Sequence, residues 1–334
     1  MRSRFVPALA RGRGGLRWIA VLGAMCVVSR ATNARAEVTL PPEVGWDYGA
    51  IETGRGAALS GAERAISNSI GALLSNPANM VASRVYHVGA LASIWPEAAR
   101  QTYGAAIVDS STSSTGLAGG LSAAWTIQDA DGLKRRGTDL RMALAFPFSQ
   151  QFRMGIAAKY LAFRQEGDGP LGPSLVSGGL EDQSIVRNFG VDAGVTLQPQ
   201  GGFSLSLVGT NLNSPGNGFL PTSVGGGLGL GTDEVSIEGD MVADFTTWDS
   251  NSWRAMGGGE LLIADHFPLR LGYRYDDGSA MHWLSGGIGY IERSMTLEVG
   301  VRRSVGGGDA TAIVLSFAYH VESAGLGNSS EGMY

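Results

Sequence analysis

Fourteen short segments that alternate apolar residues with small or polar ones follow one another almost without interruption from residue 85 to residue 321. In one of them Leu297, Val299 and Val301 alternate with Glu298 and Gly300. Alternation with a period of two predicts a strand whose two faces meet different surroundings. The predicted strands begin near residues 85, 102, 117, 138, 152, 185, 202, 222, 234, 253, 268, 282, 295 and 310. The chain is therefore all-β, as a barrel, a sandwich or a propeller.

Composition favours the barrel. The chain of 334 residues has only two lysines, and charged residues make up 16% of it. A soluble sandwich needs an outer surface that is at least about a quarter charged. Here the less apolar strand faces hold mostly small residues, and the chain contains 51 glycines. We therefore predict a 14-stranded antiparallel transmembrane β-barrel over residues 85–322, with hydrocarbon against its apolar face.

The N-terminus has the pattern of a secretory signal peptide over residues 1–36. Arg11, Arg13 and Arg17 precede the apolar run 18–28, and Ala34-Arg35-Ala36 offers a small-x-small cleavage site. The run is too short for a membrane helix, which needs about 20 apolar residues, so any membrane passage is expected through strands. The only cysteine, Cys26, lies in this segment. Lipidation of Cys26 is an alternative, which the large Met25 before it disfavours.

The charge of the processed chain argues against nucleic acid as a partner. The predicted signal peptide holds seven of the 25 basic residues and no acidic one, which leaves 18 basic against 30 acidic residues. Neutralising phosphates requires a basic surface.

Residues 37–84 differ from the strand region and are predicted to form a small helical plug. Ala62, Ile66, Ile70 and Leu73 would share one face of a helix over 62–74, and Asn76-Pro77 would end it. Fourteen strands enclose a space too wide for wall side chains to fill. We expect the plug to occupy that space, and residues 323–334 to form a C-terminal tail.

The connections between the predicted strands alternate in length. Tight turns such as 148–151 and 292–294 alternate with longer segments such as 165–184 and 211–220, which is typical of outer-membrane barrels. Aromatic residues near strand ends are predicted to form interfacial girdles. They are Trp95, Trp125, Phe152, Trp253, Trp283 and Tyr290.

Charged residues on the less apolar faces are predicted to point into the lumen. Because both signs occur on neighbouring strands, cross-strand pairing would limit repulsion. The interpretation is a charge ladder that braces the barrel and anchors the plug, with a path for charged solutes as the alternative. The set is Asp139, Arg141, Arg153, Lys159, Asp192, Glu238, Asp240, Asp244, Arg254, Glu260, Arg270, Arg274, Glu298 and Arg302.

Nothing in the sequence predicts an enzyme, a cofactor or a metal site. The four histidines are too scattered for metal spacing, and only His87 and His320 are expected to meet, across the first and last strands. Asp129-Ala130-Asp131-Gly132 and Asp276-Asp277-Gly278 do not continue into a twelve-residue calcium loop and are interpreted as turns.

The lead-in to the first strand resembles the N-terminal hatch of FadL-family outer-membrane transporters and, equally, that of PorV-type barrels. The resemblance spans about residues 50–322. It depends on the glycine-rich, alanine-rich stretch 54–62 and on an Asn-Pro-Ala just before the first strand. The hatch residues that it indicates are Gly54, Gly56, Gly61, Asn76, Pro77 and Ala78.

The two resemblances imply different functions. FadL similarity implies passive uptake of long-chain or aromatic hydrophobic molecules past a hatch that shifts, with exit sideways through the wall. PorV similarity implies a scaffold or shuttle for secreted proteins. The third hypothesis is a barrel that conducts nothing. The expected partners are therefore outer-membrane lipid and either a hydrophobic small molecule or secreted proteins. Only residues 169–180 form an outer loop that could capture an apolar ligand.

Overall fold

The computed structural model describes residues 51–130, 133–166, 183–199, 202–215, 219–248 and 250–321. The predicted signal peptide, the start of the plug at 37–50, the loop 169–180 and the tail 323–334 lie outside the described residues. So do Asp131 and Gly132.

The described part of the chain forms fourteen strands, most of them near their predicted positions. They are β1 Tyr86–Trp95, β2 Arg100–Asp109, β3 Ala118–Ala130, β4 Leu133–Pro147, β5 Phe152–Glu166, β6 Gln183–Leu197, β7 Phe203–Thr210, β8 Ser223–Gly231, β9 Val235–Asp244, β10 Ser252–Ile263, β11 Phe267–Asp276, β12 Met281–Ile291, β13 Met295–Gly306 and β14 Thr311–His320. β4 begins five residues before the predicted start near 138, because the charged stretch after Leu133 keeps the alternation and buries Arg135.

The sheet is a closed antiparallel barrel, as predicted. Each strand pairs with its neighbours in the chain, and β1 closes the barrel against β14 from the pair His87 and His320 to the pair Ile94 and Ile313. Residues 96–99, 211–222 and 245–251 connect strands at one end, which we call the loop rim. The other end, the turn rim, carries connections such as 148–151 and 232–234. Residues 51–84, which precede β1, reach it at the turn rim.

The two faces of the wall differ as the alternation predicts. Large apolar side chains project outward, and Leu271 and Ile237 are 74% and 60% exposed. Most of the charged residues of the opposite face are buried. An apolar outer band around a polar interior is the arrangement of membrane barrels. Among the described residues, no helix has both the length and the apolar character needed to cross a bilayer.

The N-terminal segment, defined here as residues 51–84, contains helices α1 Gly54–Ala58 and α2 Ser69–Ser75 and the 3₁₀ helix Pro77–Val81. α1 contacts β11 to β14, α2 contacts β1 to β3, and the 3₁₀ helix contacts β3 to β6. The single helix predicted over 62–74 is wrong in extent, because helical structure begins only at Ser69. The reason is the backbone at Asn68, which is extended, and at Ser69, which has a φ of +49°.

Candidate functional site in the barrel lumen

Two carboxylates of β9 bind the backbone of the N-terminal segment. Asp240 Oδ2 accepts hydrogen bonds from the N–H groups of Glu63 and Arg64, both at 3.0 Å. Glu238 Oε1 accepts from the N–H groups of Ala65 and Ile66. These are the first N–H groups of the predicted helix, and a helix has no carbonyl partners of its own for them, so the carboxylates alone do not exclude a helix. Helical geometry is interrupted at Asn68, which is extended with φ −141° and ψ 171°, and at Ser69, whose φ is +49°.

Two buried asparagines bind the carbonyl side of the same stretch. Asn76 Nδ2 donates to Arg64 O at 2.7 Å and to Thr196 Oγ1 of β6 at 3.0 Å. Asn79 Nδ2 donates to Arg64 O and to Ala65 O. The predicted hatch residue Asn76 therefore connects the N-terminal segment to itself and to the wall. Its Oδ1 also accepts from the N–H of Ala78 at 3.1 Å and caps the 3₁₀ helix.

The predicted hatch glycines lie where the segment packs most closely. Gly54 donates its N–H to Ser316 Oγ at 2.9 Å, and a Cβ at Gly54 would lie 2.9 Å from the backbone of Glu298. A Cβ at Gly56 would lie 2.9 Å from the carboxylate of Glu63. Gly61 has a φ of +85°, which favours glycine.

Glycines of the wall receive the segment in turn. A Cβ at Gly272 of β11 would lie 2.5 Å from the carbonyl carbon of Leu59, and one at Gly258 of β10 would lie 2.9–3.1 Å from Leu59. On the opposite side, Gly155 of β5 packs against the backbone of Pro77 and Ala78. These strands present backbone rather than side chains to the segment, and the segment can therefore lie directly against the wall.

Apolar packing holds the side of the segment that contains α2. Ile70, Leu73 and Met80 form a buried cluster with small wall side chains of β2 to β5. Ala106, Val108, Ala118, Ala143, Ala145 and Ala157 are the wall members. The segment is thus bound by polar contacts near β9 and by apolar contacts near β2 to β5.

The structure places the predicted ladder residues on the lumen face, where most are buried. Arg64 of the segment pairs with Asp240 at 3.0 Å, and Arg302 binds Glu52 with two hydrogen bonds of 2.8 and 2.9 Å. Within the wall, Arg270 pairs with Glu260 and Glu298, Arg254 with Asp276, Lys159 with Asp192, and Arg141 with Asp139. Arg141 also donates to Leu74 O of the segment.

The row Glu238, Asp240 and Asp244 is used differently from the cross-strand pairing that the sequence suggested. The first two residues bind the N-terminal segment, whereas Asp244 accepts hydrogen bonds from Thr246 and Thr247 in the loop that follows β9. Sequence reasoning missed Glu52, Arg55 and Arg64 as partners. Their positions in an irregular stretch carry no periodic signal.

Two predicted girdle residues lie in the lumen instead, and that part of the girdle prediction is wrong. Trp95 and Trp283 are 4% and 2% exposed and meet edge to face with ring centroids 6.1 Å apart. The guanidinium groups of Arg100 and Arg274 lie over them at 4.4 and 5.0 Å. Both tryptophans occupy positions in the alternation of their strands whose side chains point inward, and the alternation determines which face they lie on. Trp125 and Trp253 do face outward.

A cavity of about 100 Å³ lies between the segment and the strands that close the barrel. Its lining includes Arg55, Glu63, His87, Glu298 and His320. Burial raises the pKa of the Glu63 carboxyl from 4.5 to about 8, although the nearby charge of Arg55 acts against the shift. Glu63 therefore carries its proton at neutral pH.

The two histidines of the seam meet as predicted. The rings of His87 and His320 stack with centroids 4.1 Å apart, and Ser69 Oγ lies 2.6 Å from His87 Nδ1. This contact connects the start of α2 to the pair of strands that closes the barrel. No cluster of three or more metal-binding side chains occurs in the part of the chain that the structure describes.

Comparisons with known proteins add the fold. No protein-family model and no curated protein matches the sequence. A FadL homologue from Pseudomonas aeruginosa matches with a TM-score of 0.58 and 12% identity, over 80% of this chain and 98% of that one. The toluene transporter TbuX from Ralstonia pickettii matches with a TM-score of 0.60 and 11% identity, over 82% of this chain and 99% of that one. The toluene transporter TodX from Pseudomonas putida matches with a TM-score of 0.55 and 12% identity, over 81% of this chain and 98% of that one. At these identities the likeness concerns the fold.

Proposed function

We propose that this chain, which has the fold of FadL-type outer-membrane barrels, lies in the bacterial outer membrane and lets hydrophobic small molecules cross passively. The solutes would be of the long-chain fatty acid or aromatic class, and the N-terminal segment would act as the gate. One observation carries the proposal. The segment packs against the inward faces of strands on all sides of the barrel, so a solute that crosses has to displace it.

Apolar side chains also pack together inside the barrel near the loop rim. Phe163 of β5 and Phe219 of the connection after β7 stack with ring centroids 5.3 Å apart, in a buried cluster with Leu161, Val186 and Leu220. These side chains are only 2–5% exposed, so they form a packed apolar cluster that a solute would have to part. A hydrophobic cargo is supported by the toluene transporters among the solved structures of similar fold.

Sideways exit is supported by the shortest strand pairing among the described residues. β6 and β7 pair over five residues only, from Ala193 to Leu197 on β6. Beyond them, Asn213 Oδ1 accepts from the N–H of Val191 at 2.9 Å, and Asn213 Nδ2 donates to Phe189 O at 2.8 Å. Together with one backbone bond, from the N–H of Leu212 to Val191 O at 2.8 Å, this side-chain amide replaces a regular ladder, so this part of the wall opens at lower cost than a fully paired strand.

A reversible crosslink tests the gate. A Cβ at Gly229 of β8 would lie 3.3 Å from the Cβ of Ala65, close to the separation found in disulfides. The double variant Ala65→Cys and Gly229→Cys is reconstituted in liposomes, and uptake of radiolabelled oleate and toluene is measured before and after reduction. We expect uptake to be several-fold lower in the oxidised form and to recover on reduction.

The matched control crosslinks the wall to itself. Ala90→Cys with Ala105→Cys joins register partners on the outward faces of β1 and β2 and leaves the segment unbound by disulfide. Equal uptake by the oxidised and reduced forms of the Ala65 and Gly229 pair would refute the gate. Absence of uptake in every state, with secreted proteins retained on the purified barrel, would favour the scaffold hypothesis.

A further inference from the structure

Three arginines form a positive patch on the outer, lipid-facing side of the barrel near the loop rim. Arg136 of β4, Arg164 of β5 and Arg187 of β6 are all exposed and project outward from neighbouring strands. Arg136 and Arg164 are register partners, and Arg187 is the partner of Ala162, two residues from Arg164. Their charges are therefore concentrated within one small area.

A groove of about 620 Å³ lies on the outer surface directly below this patch, toward the turn rim. Small side chains of β2, β3 and β5 form its floor, and the larger Leu140, Tyr160 and Phe189 border it. The floor residues are Ala105, Ala123 and Ala158. Its lining is almost entirely apolar, and Leu140 and Phe189 are 45% and 64% exposed. The groove is a lipid-side feature, separate from the lumen and the N-terminal segment.

The arginine patch and the groove are arranged like the phosphate group and the acyl chains of a phosphorylated lipid, with the charged part nearer the rim. Arg187 lies two residues nearer the loop rim than Phe189, and Arg136 and Arg164 lie four residues nearer than Leu140 and Tyr160. At about 3.3 Å per residue along a strand, the three arginine positions lie about 7 to 13 Å along their strands from the upper border of the groove. Tyr160 and Phe189, with ring centroids 5.0 Å apart, form that border, on the side of the groove where interfacial aromatic residues are expected.

We propose that the arginine patch and the groove form one binding site for a phosphorylated, multi-acyl glycolipid of the outer leaflet. The guanidinium groups bind the phosphates, for which their planar donor fork is suited, and an acyl chain lies in the groove. The site faces the outer leaflet because the longer connections of outer-membrane barrels are extracellular. The proposal is independent of what crosses the lumen.

Charge complementarity is the reason to choose a lipid over a second copy of this chain. Another barrel would bring an identical arginine patch to a symmetric contact, whereas a lipid phosphate brings the opposite charge. The groove gives the reason to choose a lipid over free phosphate, because an inorganic anion leaves the apolar surface unused.

The test measures lipid binding to the purified full chain in detergent by native mass spectrometry. The probes are bis-phosphorylated lipid A and the same lipid without its phosphates. We expect the triple variant Arg136→Ala, Arg164→Ala and Arg187→Ala to bind bis-phosphorylated lipid A at least tenfold more weakly than the unmodified protein does. The triple variant and the unmodified protein should bind the dephosphorylated lipid equally well. Ala123→Trp, which fills the groove, should weaken both lipids several-fold.

The control removes two exposed arginines at the other rim, Arg84→Ala with Arg293→Ala, and should leave binding unchanged. Heat-dependent gel mobility verifies that each variant keeps a folded barrel. Equal binding of both lipids by the unmodified protein and the triple variant would overturn the proposal. Complete displacement of the lipid by millimolar inorganic phosphate would also overturn it. The same holds if the unmodified protein is a dimer, the triple variant is a monomer and both bind the lipid equally.

Discussion

The backbone N–H and the guanidinium group of Arg64 both donate to the same oxygen of Asp240, each at 3.0 Å. The N–H of Glu63 donates to that oxygen as well. The Asp240 side chain is fully buried, and these three bonds replace the hydration of its Oδ2. One wall carboxylate thus fixes the path of the N-terminal segment through the lumen.

Replacing Asp240 should release this part of the segment. Removing one partner of a buried ion pair costs about 3–5 kcal/mol, because the remaining charge is left unpaired. In Asp240→Ala we expect the amides of residues 63 and 64 to exchange hydrogen much faster than in the unmodified protein, as measured by mass spectrometry in detergent. Asp277→Ala, at an exposed aspartate of the loop rim, is the control. Unchanged protection in Asp240→Ala would contradict the anchoring role.

Valine at Gly258 should displace α1 and the residues after it, because the added Cβ would lie 2.9–3.1 Å from Leu59. We expect faster proteolysis of the N-terminal segment and a higher ion leak across planar bilayers. Gly257→Val is a matched control on the same strand, since the site faces outward and its Cβ would meet only Glu238 O at 3.9 Å. Equal leak in the two variants would show that close packing at Gly258 does not hold the segment.

The docking of the segment should weaken as the pH rises. Glu63 has a pKa of about 8 in place and 4.5 when released, so the docked state binds more protons between these values. The equilibrium constant for docking of the segment then falls by up to about tenfold per pH unit between pH 4.5 and 8, and it becomes constant above pH 8. A spin label at Asn68→Cys, an exposed position, reports release. With Glu63→Gln the contribution of this group should disappear; an unaltered pH profile would assign the dependence to another group.

Asn76→Ala should destabilise the segment more than Asn68→Ala does. The Asn76 amide binds Arg64 O, Thr196 Oγ1 and the N–H of Ala78 and is fully buried. Arg64 O keeps the bond from Asn79, whereas the loss of the bonds to Thr196 and Ala78 costs about 1–3 kcal/mol each. Asn68 precedes α2 without a side-chain capping bond and is exposed. Thermal release of the segment, followed by limited proteolysis, compares the two variants. A smaller effect at Asn76 would contradict its role as a connector.

Alternation along the chain predicts the barrel because each wall residue has only two directions to face. Leu297 and Phe317 are outward for that reason, and Arg302 is inward. The same rule, followed strictly, would have placed Trp95 and Trp283 in the lumen. Their position near strand ends suggested a girdle, but parity outweighs end position when the opposite face holds arginines that stack on the rings.

The N-terminal segment follows no such rule, and its local pattern gave a wrong helix. Ala62 and Ile66 continue the apolar spacing of Ile70 and Leu73, yet the chain is extended at Asn68 and has a φ of +49° at Ser69. Glu238 and Asp240, more than 170 residues later in the chain, bind residues 63 and 65 on this path. Local helix propensity carries no information about wall carboxylates that come near the segment only when the barrel closes. Fourteen strands nonetheless imply a space to be filled, and that argument depends on geometry alone.

The difference between the two sides of the segment determines how it can move. Near β9 a few hydrogen bonds and one ion pair hold it, and a competing solute or a single substitution can remove these. Near β2 to β5 Leu73 and Met80 are held by buried area, which no single contact controls. On loss of the β9 contacts the segment would still be held by α1 at β11 to β14 and by α2 at β1 to β3, so only the stretch between the two helices would loosen while both ends stay in place.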